Sequence, residues 1–251
     1  MEQSNSSGQL QMPAPQAGMI PTLNKMGYMT VHLNPYSQRF VDFAPSAPGP
    51  VLEVGAAYGN VALAAVELGA KVIANDIEHR HLEILLNRIP NHLRHRVQTM
   101  QGSFPNLEIE PSSIGAILVS RLFHFFDGPT IERSAKEMLR WLAPAGKVFV
   151  VSETAYLKPF KEFIPIYEER KANGDLWPGW MEDLQSYTPQ TRKADVPQSM
   201  NLLDCEILTR VFQEAGFLIE ATGMFSYEDY PDDLRLDGRE GVGLIAIKSP
   251  S

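Results

Sequence analysis

Cysteine is nearly absent from this chain. Cys205 is the only one in 251 residues, which excludes an intrachain disulfide and any zinc site built on several thiolates. Positive charge is also short. Lys and Arg number 22 against 30 Asp and Glu, for a formal net charge of −8. A polyphosphate partner needs the opposite, clustered cations that release counterions, so nucleic acid is not an expected partner. No apolar run approaches the ~18 residues of a membrane span. The best candidates, 115–126 and 147–151, are interrupted by Arg121 or bounded by Glu153. The opening residues are rich in Gln, Ser, Pro and Gly, and lack the basic start and apolar run of a secretory signal. These absences predict a cytoplasmic protein with no membrane span; composition carries no signature of oligomeric state.

What the chain does have, from Pro50 onward, is alternation. Short continuous β-branched runs at 51–54, 71–74, 96–100, 114–119 and 147–151 are separated by helical-period segments at 60–68, 80–89 and 129–142. That pattern predicts βαβ units and a parallel sheet buried on both faces. Pro129 suits a first helical turn, and Pro144-Ala145-Gly146 stops a helix before the fifth run. Residues 202–215 read as a helix ended by Gly216, and 217–222 and 242–248 as two final strands. Between them, 228–240 holds six acidic and two basic side chains, by default a solvated loop. Residues 154–201, with five prolines, Trp177 and Trp180, are too long for a structureless connection and predict a small helical cap. The expected organisation is a flexible segment 1–34, a possible lid, followed by one domain over 35–251 with 154–201 inserted as the cap.

The most informative stretch is Glu53-Val54-Gly55-Ala56-Ala57-Tyr58-Gly59-Asn60, an apolar strand entering a small-residue turn that opens a helix. Small residues let backbone approach a ligand, and free N–H groups at a helix start favour an electron-rich group. Asp76 stands at the tip of the next run, where a carboxylate can accept both hydroxyls of a ribose. A dinucleotide turn, G-x-G-x-x-G, aligned on Gly55 would place Ala57 second and Asn60 third, a poor match. Here the small residues fall at Gly55, Ala57 and Gly59, with Glu53 two residues before them.

This arrangement resembles motif I of class I S-adenosylmethionine-dependent methyltransferases, acidic-x-Gly-x-Gly-x-Gly, with Ala57 replacing one glycine. Leu142-Ala143-Pro144-Ala145-Gly146 resembles the turn before that family's fifth strand, and the two terminal strands match its ending. The resemblance covers about 35–248. It implies a Rossmann-like, doubly wound, seven-stranded, mostly parallel α/β sheet with an antiparallel last strand, and S-adenosyl-L-methionine as cofactor. Carried over by position, Gly55, Ala57 and Gly59 line the methionyl and ribose portion, Glu53 anchors the turn, and Tyr58 shields the cofactor or packs on the N-terminal segment. Asp76 takes the ribose hydroxyls and Ile77 lies against the adenine. Ser103 and Phe104 stand where the family often has an acidic residue, and Ser120 begins the segment that touches both cofactor and acceptor.

Methyl transfer is an in-line displacement that needs alignment and exclusion of water. No metal is required. For an oxygen acceptor, His124 is a candidate base on the argument that an imidazole titrates near neutrality, and its alternative is a place in the aromatic cluster of Phe123, Phe125 and Phe126. Glu153 is the second catalytic candidate. Arg121, Tyr156, Trp177 and Trp180 are candidates for holding the acceptor, each with surface or packing alternatives. The stretch around His79, Arg80 and His81 lacks ligand spacing and reads as a solvated face. The leading expectation is methylation of an oxygen, nitrogen or carbon of a small molecule. The alternatives are a protein side chain as acceptor, a module that binds cofactor without turnover, and, more distantly, a nicotinamide-dependent oxidoreductase.

Overall fold

The alternation of apolar runs and helical periods builds one seven-stranded sheet in a computed structural model that describes residues 10–16, 18–188 and 197–250. Residues 1–9 of the expected N-terminal segment and 189–196 of the expected cap lie outside the described residues. A hairpin of β1 (Met19–Pro21) and β2 (Tyr28–Thr30) precedes α1 (Pro35–Phe43). Then come β3 (Val51–Val54), α2 (Asn60–Glu67), β4 (Val72–Asp76), α3 (His79–Arg88), β5 (Val97–Gln101), β6 (Ile114–Ser120), α4 (Gly128–Trp141) and β7 (Leu142–Glu153). Among the described residues of 154–201 are α5 (Ile164–Ala172), two short 3-10 turns and the paired strands β8 (Trp180–Met181) and β9 (Met200–Asn201), so this described part is only partly helical. The chain closes with α6 (Cys205–Ala215), β10 (Leu218–Phe225) and β11 (Gly241–Ile247). No helix among the described residues is long and apolar enough to cross a membrane.

Strand order is β10-β11-β7-β6-β3-β4-β5, with β11 antiparallel to both neighbours and the remaining pairs parallel. The continuous apolar runs are explained by burial on both faces. Val51, Ala116, Leu118, Phe149 and Val151 pack on one side against α1, α2 and α3. The residues between them, Leu52, Val54, Ile117, Val119, Val148 and Val150, pack on the other against α4 and α6. A one-residue slip would exchange the two sets.

Local signals set the ends. Asp204 caps α6 by accepting the Ile207 N–H at 2.8 Å, and Gly216 ends that helix in the left-handed region. The Pro144-Ala145-Gly146 turn is a bulge at the start of β7, because Leu142 pairs with Ile114 and Lys147 already with Ala116. Helix α1 lies outside the sequence expectations, although Asn34 before Pro35 is its signal: the Asn34 Oδ1 accepts the Tyr36 and Ser37 N–H groups, and proline occupies the first turn. The order of strands leaves a crevice where the chain runs from β3 to β4 on one side and to β6 and β7 on the other. Ligands of open α/β sheets sit at such a switch, beyond the carboxyl ends of the strands.

Candidate functional site

At that switch lies a cavity of about 370 Å³, lined from below by Glu53, Gly55, Asp76, Ser120 and Glu153 at the strand ends. The β1–β2 hairpin covers it with Met19, Met26, Tyr28 and Met29, and its far wall is Leu157, Phe160, Met200, Tyr230 and Leu234. Mostly apolar walls with a few converging polar groups are what a small-molecule site presents.

The turn after β3 owes its shape to three left-handed residues, Gly55 (φ 70°), Ala57 (φ 45°) and Gly59 (φ 77°). Gly59 admits no side chain, since a Cβ there would lie 2.4 Å from Leu85 Cγ. Ala57 bears the strain an L-residue meets in this region, and its N–H donates to Asp76 Oδ2 at 2.9 Å, which holds the turn against the tip of β4. Asp76 Oδ1 accepts the Glu78 N–H at 2.9 Å and lies 3.1 Å from His81 Nδ1. Behind it, Asn75 donates to the Met100 and Gly102 carbonyls and so fixes the loop that carries Ser103.

Glu53 is 5% exposed and its Oε2 has no hydrogen-bond partner. Burial first, and the Asp76 carboxylate after it, push its pKa up to about 8, with the Ala62 amide of α2 pulling the other way. A carboxyl so raised is ready to ionise against a cation. In the unfolded chain the same group loses its proton near 4.5, so between these values the native state holds a proton the unfolded state has lost, and native stability falls as pH rises. Glu53→Gln is therefore expected to stabilise the ligand-free protein by on the order of 4 kcal/mol at pH 8 and by next to nothing near pH 4. Urea unfolding across this range measures it; an increment independent of pH would contradict the assignment.

The second polar group is built around Arg121, itself left-handed (φ 56°) directly after β6, with its N–H on the Val151 carbonyl at 2.9 Å. That turn brings the guanidinium back to the tip of β7, where Nε donates to Glu153 Oε1 at 2.9 Å and Nη1 to the Tyr28 carbonyl at 3.0 Å. Tyr230 donates to the same Glu153 oxygen at 2.6 Å, and Glu153 Oε2 has no partner. The guanidinium lies over the rings of Tyr227 and Tyr230 at 5.6 and 5.5 Å. Burial works against its charge, yet Tyr230 and Glu153 hold its pKa above the usual arginine value. This is a buried, neutralised ion pair rather than a free cation.

The cavity also gathers Ala57, Ile77, Ser103, Phe104 and His124. Ile77 is 54% exposed, an apolar side chain left open beside Asp76. Phe104 additionally stacks on Phe126 at 6.2 Å and meets Trp141 edge-on. His124 is buried against Phe125, ring centroids 4.2 Å apart, and burial, helped by Arg121, pulls its pKa down to about 3. The argument from near-neutral titration therefore fails for His124: the imidazole is neutral throughout the physiological range and a weak proton acceptor.

Other expected residues lie elsewhere. Gly59 packs on Leu85, and Tyr58 is fully buried with its hydroxyl on the Pro21 carbonyl at 2.8 Å, the packing alternative for that side chain. Tyr156 bonds Glu168 and lies under Arg239. Trp177 covers Gly128 and stacks with Arg210 at 5.0 Å, and Trp180 is half-buried in β8. None of these five lines the cavity. The solvated reading of 228–240 holds for Glu228, Asp232, Asp233 and Asp237, which are exposed, but not for Glu240, which is fully buried and whose Oε1 accepts the N–H groups of Leu236, Asp237 and Gly238 at 2.7, 3.1 and 3.0 Å. Sequence reasoning missed Tyr230 altogether and misplaced His81, which is 1% exposed. A signal for His81 existed, since it stands three and four residues before the buried Ile84 and Leu85.

Residues 51–146 match the family model for a methyltransferase domain. A curated relative in Mycobacterium tuberculosis, described as an uncharacterized methyltransferase, is 28% identical over 110 residues, 44% of this chain and 42% of that protein. A Mycobacterium bovis relative matches to the same extent, so the match spans less than half the length of these relatives. Among solved structures, a SAM-dependent methyltransferase from Methanosarcina mazei superposes with a TM-score of 0.65 over 88% of this chain and 100% of that one, at 16% identity. A glycopeptide N-methyltransferase solved with S-adenosyl-L-methionine gives a TM-score of 0.57 over 86% of this chain and 87% of that one, at 18% identity.

Proposed function

We propose that the chain, whose residues 51–146 match a methyltransferase domain and whose sheet superposes on that of a SAM-dependent methyltransferase, is itself a class I methyltransferase that transfers a methyl group from S-adenosyl-L-methionine to a small-molecule acceptor. The observation that carries this reading is the pair of carboxyls Glu53 and Asp76 on adjacent strand tips, both lining the cavity, with Glu53 Oε2 unpartnered. Two neighbouring carboxyls suit a cationic ligand and repel a pyrophosphate. Glu53 would meet the methionyl ammonium, Gly55 and Ala57 would line the methionyl and ribose portion, Asp76 would hold the ribose, and Ile77 and Phe104 would flank the adenine. When bound, this cofactor supplies a methyl group on a sulfonium, electrophilic without further activation.

The protein's own contribution is alignment, dryness and a proton acceptor. The hairpin roof excludes water. Glu153, oriented by Arg121 and Tyr230 through its Oε1, would take the proton of an acceptor hydroxyl, and Arg121 would hold the oxygen as charge develops on it. The small-molecule reading is supported over a protein acceptor by the enclosure of the cavity, which the β1–β2 hairpin covers and which Tyr230 and Leu234 of the 226–240 connection wall. The test is incubation with methyl-labelled S-adenosyl-L-methionine and cell extract, then separation of protein from small molecules. Label is expected in the small-molecule fraction. Label confined to protein would contradict the proposal.

A further inference from the structure

The two ring nitrogens of His81 serve two different parts of the molecule. Nε2 accepts the Leu23 N–H of the N-terminal hairpin at 3.0 Å, while Nδ1 lies 3.1 Å from Asp76 Oδ1. A backbone N–H can only donate, so Nε2 carries no proton; the neutral ring then has its proton on Nδ1, where it donates to Asp76. The ring is held edge-on by Tyr58 at 5.1 Å, whose hydroxyl in turn donates to the Pro21 carbonyl. Two further side chains hold the hairpin backbone: Asn60 Nδ2 donates to the Thr30 carbonyl at 2.9 Å and Arg121 Nη1 to that of Tyr28. Of these four contacts, only the one through His81 continues to Asp76. With Glu78 N–H and His81 on Oδ1 and Ala57 N–H on Oδ2, the carboxylate plane is fixed and Oδ2 keeps acceptor capacity for a ligand.

We propose that His81 is a positioning residue that ties the orientation of Asp76 to closure of the hairpin, so that cofactor binding and closure favour each other. The inference rests on the reading of Asp76 as the ribose-holding carboxylate. Its physical basis is that one rigid imidazole cannot turn toward one partner without leaving the other. A coupling of this kind is reciprocal: whatever closure contributes to cofactor affinity, the cofactor returns to closure.

Two amide isosteres separate the halves of the bridge. His81→Asn places an amide N–H near the position of Nδ1 and leaves Leu23 without its acceptor, while His81→Gln places a carbonyl near Nε2 and removes the donor to Asp76. The readouts are hydrogen exchange of residues 18–31 and the calorimetric Kd for S-adenosylhomocysteine. In the unsubstituted protein, S-adenosylhomocysteine is expected to slow exchange of the hairpin. The Gln variant should exchange as the parent does without ligand and bind S-adenosylhomocysteine roughly tenfold more weakly, the loss of one hydrogen bond to a charged group. The Asn variant should show roughly tenfold faster ligand-free exchange over 18–31, and S-adenosylhomocysteine should slow it less. Equal effects of both variants on both readouts, or no effect of either, would overturn the inference in favour of simple packing. Should the Asn variant not fold, the parent and Gln measurements still decide. Failure of the parent to bind S-adenosylhomocysteine would sink the cofactor reading and this inference together; tight binding with hairpin exchange unchanged would sink this inference alone.

Discussion

Replacing Glu153 by Gln is expected to lower turnover by about 10²–10³-fold, within the range ascribed to a positioned general base, while leaving the Kd for S-adenosyl-L-methionine within about threefold, because no proposed cofactor contact is removed. The carboxylate receives Arg121 and Tyr230 on one oxygen and leaves the other unpartnered. Glutamine keeps the volume but cannot take a proton. It also leaves the Arg121 guanidinium buried without a counter-charge, and breaking such a pair costs about 3–5 kcal/mol, so the thermal midpoint should fall as well. Tyr230→Phe separates the two effects, since it removes one donor to Glu153 and keeps the ion pair. Its expected loss of turnover is about tenfold or less, the scale of one hydrogen bond. Single-turnover assays with both variants, run where each is fully folded, provide the measurement. Equal activity of Glu153→Gln and parent would remove Glu153 from the chemistry.

Asp76→Ala is expected to weaken cofactor binding by about ten- to a hundredfold, because a hydrogen bond to a charged group contributes ~1.5–3 kcal/mol and Oδ2 keeps one acceptor position for a ribose hydroxyl. The substitution also strips acceptors from the Ala57 and Glu78 amides and from His81. Ala57 would then hold its left-handed conformation without the bond that fixes it, so the glycine turn should loosen and the thermal midpoint drop. Asp76→Asn keeps one acceptor oxygen and nearly all the volume, and should fall between parent and Ala in both respects. Titration calorimetry and thermal unfolding on the same preparations test this. Undiminished affinity in the Ala variant would assign the ribose to another group.

The sheet was legible in the sequence because a parallel strand buried on both faces leaves a continuous apolar run, and because Asp204, Gly216 and the Pro-Ala-Gly bulge punctuate locally. The cofactor side was legible for the same reason: Glu53, Gly55, Ala57 and Asp76 sit within one strand-turn-helix unit and the tip of the next strand. The acceptor side was not. Glu153 and Arg121 stand out as strand-tip residues, but Tyr230 reaches Glu153 from 77 positions away, through an acidic connection whose composition reads as solvated. His81 was hidden in a run of His and Arg that looks like surface. Trp177 and Trp180 drew attention by size, yet Trp177 packs the inserted segment against α4 and α6, Trp180 sits in β8, and neither lines the cavity. His124 shows the limit of residue type alone, since its place beside Arg121 in an apolar cluster sets its titration.

Calorimetric titration of the purified protein with S-adenosyl-L-methionine at pH 7 and pH 9, in buffers of different ionisation enthalpy, tests the central claim most directly. The account predicts saturable binding, with proton release at pH 7 as the cationic ligand ionises Glu53, and release fading by pH 9, above its pKa of about 8. Absence of binding at either pH, or binding with no proton released at pH 7, would contradict it.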